Sequence, residues 1–81
     1  MSDLQHHAQD VSIVLDGQMF RVPVEVVWSR RSLRTEKLYV HTADARVWEV
    51  TPDDSTHYGA MVVQAAANEE EFMESLRASC P

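Results

Sequence analysis

The sequence predicts an α+β domain: an antiparallel β-sheet of four to five strands with one C-terminal helix packed on one face. Three observations carry that expectation. Residues 11–28 alternate apolar and polar side chains around an Asp-Gly pair, 38–50 resume the alternation, and 68–80 switch to a helical repeat. Period two belongs to half-buried strands and a spacing of three and four to an amphipathic helix.

Within the first run, Val11, Ile13 and Leu15 alternate with Ser12, Val14 and Asp16, and Phe20, Val22, Val24, Val26 and Trp28 alternate with more polar neighbours. Asp16-Gly17 supplies the two positive-φ positions of a type I′ hairpin turn. A two-residue loop pairs Leu15 with Gln18, Ile13 with Phe20 and Val11 with Val22, which gathers the large apolar residues on one face. Pro23 then falls opposite Asp10. It has no ladder donor, so the first strand is expected only to begin there while the second runs on to another neighbour.

Residues 1–9, including His6 and His7, show no periodicity and read as a flexible N-terminal tail, leaving 10–81 as a single domain. Ser29 to Lys37 is polar and basic and reads as an extended loop. Leu38, Val40, Trp48 and Val50 form the next hairpin. Only an odd loop, Ala43–Ala45 or Thr42–Arg46, places Val40 against Trp48 and Leu38 against Val50. Trp28 and Trp48 both fall on the apolar face and are expected in the core.

Thr51-Pro52-Asp53-Asp54-Ser55 is a turn cluster. Asn68 is a good N-cap residue, Glu69, Glu70 and Glu71 suit the positive end of a helix, and Glu71 stands at the capping-box position. Phe72, Met73, Leu76 and Cys80 make an apolar stripe. These features predict a fifth strand near 60–66 and a helix from 69 to about 79. A single helix over 56–79 is the alternative.

Composition bounds the function. A chain of 81 residues buries only about 60 % of its unfolded surface. The core is therefore thin, and self-association into a homodimer would add stability. The net charge of −6 disfavours a general nucleic-acid binder, which needs a basic surface. With Cys80 as the only cysteine there is no intramolecular disulfide. No run approaches the ~20 apolar residues of a membrane span, and the polar Met1–Asp10 lacks a signal-peptide core. A cytoplasmic protein without membrane contact is expected.

Catalytic and metal chemistry find no complete site. His41 and His57 are far apart and match no zinc spacing, two glycines make no phosphate loop, and Asp54-Ser55-Thr56-His57 is a contiguous run, not a triad assembled across a fold. No cofactor is expected.

The most functional-looking feature is Arg30, Arg31, Arg34 and Lys37, four cations within eight residues, which read either as a recognition surface or as a solvated loop whose arginines pair with nearby acids. Tyr39 falls on the sheet face away from the core, either as an exposed aromatic or as an ordinary half-buried tyrosine. Guanidinium forks suit carboxylates and phosphates. Asp53, Asp54, Glu69, Glu70 and Glu74 form an acidic counterpart. A polarised surface of this kind suits protein association. The expected function is a non-enzymatic protein-interaction domain: an accessory, inhibitor or immunity-type factor of bacterial or phage kind. The alternatives are a single-stranded nucleic-acid or nucleotide binder using the Arg30–Lys37 loop and Tyr39, and an acidic inhibitor that mimics nucleic acid.

Overall fold

In the computed structural model, which describes residues 3–54 and 57–79, four strands form one antiparallel meander. They are β1 (Leu4–Leu15), β2 (Gln18–Ser29), β3 (Arg34–His41) and β4 (Val47–Val50), in spatial order β1-β2-β3-β4. Two helices follow, α1 (Tyr58–Asn68) and α2 (Glu70–Ala78). The α+β class and the antiparallel sheet are as expected from sequence.

The β1–β2 register places Leu15 opposite Gln18, Ile13 opposite Phe20 and Val11 opposite Val22. Asp16 and Gly17 adopt φ of +53° and +77°, the pair of left-handed residues that a type I′ turn requires. Pro23 lies opposite Asp10, also as expected. In a two-residue hairpin the closing pair exchanges its hydrogen bonds, so even-numbered residues of β2 bond β1 and odd-numbered ones point toward β3. Pairing with β3 runs only as far as Val24↔Val40. The missing N–H of Pro23 therefore points to the β3 side one position past the last paired residues, where the ladder loses no donor.

The first strand does not begin near Asp10. The flexible tail expected over residues 1–9 is strand from Leu4 onward, paired through to Leu4↔Ser29. No apolar repeat could announce it, because almost every residue from Leu4 to Asp10 is exposed on both faces. Its order comes from the ladder along β2.

The β3–β4 hairpin has the odd loop Thr42–Arg46, with Val40 opposite Trp48 and Leu38 opposite Val50. Thr42 N donates to Arg46 O and Ala45 N to Thr42 O, both at 3.1 Å. Ala45 takes φ of +63° to close the turn.

The strand expected near 60–66 is instead helix α1. Val62 and Val63 favour strands locally, but Tyr58, Met61, Val62, Ala65 and Ala66 recur at helical spacing. As a helix the segment buries Met61, Val62 and Ala66 on the sheet, and that burial outweighs a weak local preference. The single helix over 56–79 fails for a different reason. Glu69 has extended backbone (φ −139°, ψ 110°) and separates α1 from α2. Asn68 is thus the last residue of α1 and not a cap, Glu69 holds the N-cap position, and no side chain caps α2.

The core lies between one sheet face and the two helices. It unites Val11, Ile13, Leu15, Phe20, Val22, Val24, Val26, Leu38, Val40 and Val50 with Met61, Val62, Ala66, Phe72 and Leu76. Trp48 packs at its margin, stacked on Phe72 with ring centroids 5.2 Å apart. Trp28 does not join it: it is half-buried, on the stretch of β2 that runs beyond the helices. Gly59 sits against β1, where an added Cβ would stand 2.5 Å from the Ser12 carbonyl oxygen. No helix among the described residues is long and apolar enough to cross a membrane.

Candidate functional site

The basic segment divides between a turn and a strand. Arg30 to Leu33 form the β2–β3 turn, in which Ser32 N donates to the buried Ser29 Oγ at 3.2 Å. Leu33 holds φ of +56°, a left-handed conformation costly for a bulky residue, and stands 73 % exposed at the tip.

Most of the cations here have a partner. Arg30 N donates to the Asp3 carbonyl at 2.9 Å, and with the Gln5 amide turned so that its oxygen faces Arg30, the guanidinium Nε and Nη2 donate to it at 2.9 and 2.7 Å. Arg31 pairs with Asp3 at 3.3 Å and Lys37 with Glu49 at 3.8 Å, all four side chains at least half exposed. Exposed pairs of this kind contribute little to stability but do lower the free positive charge. Arg34 shares a shallow surface depression with Glu36, Asp53 and Asp54.

The acidic residues do not form one patch. Asp53 and Asp54 lie beside Arg34. Asp53 and Glu69 also line a second depression between β4 and α1. Glu74 borders a third with Asp44, Arg46 and Glu71. Glu70 opens α2 and is exposed.

The helices cover one sheet face only. Side-chain alternation puts Val14, Met19, Arg21, Lys37, Tyr39, His41, Val47 and Glu49 on the other. Val14 and Met19 are directly opposed and 53 % and 68 % exposed, and Val47 is 58 % exposed. Tyr39 is half-buried, as the sequence leaves open, with Glu25 and Glu49 opposite it on the neighbouring strands.

A polar clasp that sequence reasoning missed ties the β3–β4 loop to α2. The Thr42 and Ser75 hydroxyls donate to the two oxygens of the Asp44 carboxylate, the second at 2.9 Å, and Ala43 N donates to Ser79 Oγ at 2.9 Å. Arg46 lies 4.1 Å over the Trp48 ring and 3.5 Å from Glu71. The Thr42 hydroxyl is the main cause that holds the Asp44 carboxyl below the usual carboxylate range. Ser75, the backbone and Arg46 help, and desolvation opposes them. One signal was available in the sequence: Ser75 falls on the Phe72–Leu76 stripe, and a buried hydroxyl needs a partner.

Among the described residues no three His, Cys, Asp or Glu side chains are placed to hold a metal ion. Cys80, counted in the expected helix stripe, lies outside the described residues. Comparison with protein-family models, curated proteins and solved structures finds no match for this chain.

Proposed function

We propose that this chain is a protein-interaction domain that acts by binding a partner protein, not by catalysis, through its helix-free sheet face. One observation carries the reading. A two-layer fold normally gives the outward face of its sheet to polar side chains, yet here Val14, Met19 and Val47 stand more than half exposed there. Met19 and Arg21, of types enriched in protein interfaces, stand together there, with Lys37 and Glu49 as polar surroundings. The β2–β3 turn and the start of β3, which carry Arg30, Arg31, Arg34 and Lys37, flank this face. We place this binding in the cytoplasm, in an accessory, inhibitor or immunity-type role.

The nucleic-acid reading has weaker support. Tyr39 could stack on a base only between Glu25 and Glu49, whose charges repel phosphate, and Arg30, Arg31 and Lys37 are engaged by Gln5, Asp3 and Glu49.

The test compares capture of host-lysate proteins by the wild-type chain, by Met19→Asp/Val47→Asp, and by Glu70→Ala as a control away from the face. The reading expects a protein band that the double variant loses at least about tenfold and the control retains, since two buried apolar contacts amount to roughly 2–4 kcal/mol. Equal capture by all three overturns the assignment of this face.

A further inference from the structure

We propose that the free edge of β1, over His6–Asp10, pairs antiparallel with the same segment of a second copy of this chain, joining two four-stranded sheets into one of eight. This interface is separate from the sheet face discussed above.

The direction of the backbone groups follows from the hairpin. Leu15 and Gln18 close a two-residue turn, so odd-numbered residues of β1 bond β2 and even-numbered ones turn N–H and C=O to the free edge. The close approach of Gly59 to the Ser12 carbonyl agrees, since that oxygen faces outward and meets α1 there. Past Ser12 toward the N-terminus, the outward groups of Asp10, Ala8 and His6 make no backbone bond to the described residues.

Natural edge strands blunt such a template with a proline, a lysine, a bulge or a covering element. From Leu4 to Asp10 the sequence LQHHAQD holds neither proline nor lysine, and its pairing with β2 runs without a bulge. None of these residues is buried, so little within one chain compensates the cost of ordering them, about 1–2 kcal/mol each.

The segment is complementary to itself. A two-fold axis through Ala8 sets Ala8 against Ala8 and, at both ends, His6, whose Nδ1 lies 2.8 Å from Glu25 Oε1 of its own chain, against the second copy's Asp10, which the other ring nitrogen can meet. Each of these three pairs exchanges two main-chain hydrogen bonds. On the opposite side His7 meets Gln9. An open depression of about 430 Å³ lies beside this edge, lined by Gln9, Val11, Ser12 and His57–Ala60. The two-fold directs the second copy's Gln5 and His7 side chains into it. Five residues a side is a small interface, so the pair is weak, with Kd on the order of 100 µM.

Sedimentation equilibrium of the full chain, from ten micromolar to one millimolar, reads the result. The weight-average mass is expected to rise from 9.2 kDa toward twice that value. Ala8→Pro deletes the central edge donor without touching the β1–β2 ladder and is expected to weaken association at least about tenfold. Asp10→Lys replaces the acceptor that faces His6 across the two-fold with a donor and has the same effect; His6→Asp combined with Asp10→Lys puts an acid opposite the new lysine and restores the dimer. Circular dichroism and thermal melts of each variant confirm that the monomer fold is kept. A monomer throughout the range, or a dimer that both single variants leave unchanged, overturns the proposal and leaves the sheet-face reading standing.

Discussion

Asp44 shows how one side chain carries more than its position announces. It lies in a five-residue loop, yet it accepts hydrogen bonds from Thr42 and from Ser75 on α2 and so fastens the β3–β4 turn to the helix layer. Its carboxyl titrates lower in the folded chain than in the unfolded one, chiefly because the Thr42 hydroxyl donates to the charged form. A depressed carboxylate stabilises the fold above its unfolded pKa of about 4, and that contribution disappears as pH falls through the lower folded value. Thermal melts between pH 2 and 7 are therefore expected to show wild-type stability falling below about pH 4. In Asp44→Asn that part of the fall is absent and the melting temperature at pH 7 is lower. Identical pH profiles for the two chains would show that the clasp contributes nothing.

At the scale of elements, the sequence was informative wherever side-chain period and turn chemistry agreed. Asp16-Gly17 fixed the first register, and the need to keep Leu38 and Val40 on the apolar face selected the odd loop of the second. It was uninformative where order is imposed from outside the segment. Leu4–Asp10 has no apolar face of its own and becomes a strand only along β2. This also hid the state of the arginine loop, because Asp3 and Gln5, which engage Arg31 and Arg30, lie in the stretch that reads as a tail. Helix α1 misled for a third reason: its β-branched Val62-Val63 pair suggests a strand, and only the sheet beneath supplies the reason to coil. Its start is set by Gly59, the residue small enough to lie on the Ser12 carbonyl. Gly59→Ala would force helix and strand apart and is expected to cost about 1–3 kcal/mol, read as a lower urea midpoint.

The whole molecule is longer than its residue number suggests. Its radius of gyration is 12.8 Å, against about 12 Å for a compact chain of this length, and its long axis of 40 Å matches a twelve-residue strand. The β1–β2 ribbon sets that length, while the helices cover only part of it. Stability is thus concentrated in a small shared core, where Leu76 and Val62 are fully enclosed. For a domain of this size the total is only about 4–12 kcal/mol. Leu76→Ala, which removes about 2–5 kcal/mol, is expected to shift the urea midpoint sharply and to leave a measurable unfolded fraction in water. A shift no larger than that of an exposed control such as Glu70→Ala would mean that α2 contributes little to the cooperative unit.

Pro23 bears on how far such a sheet can grow. The β2–β3 ladder stops at Val24↔Val40, and Pro23, the next residue of β2 whose main chain turns that way, has no hydrogen to offer an incoming chain. The β4 margin is only four residues long. In the proposed dimer each copy uses up its β1 edge, so the assembly would close as a pair unless the short β4 margin also paired.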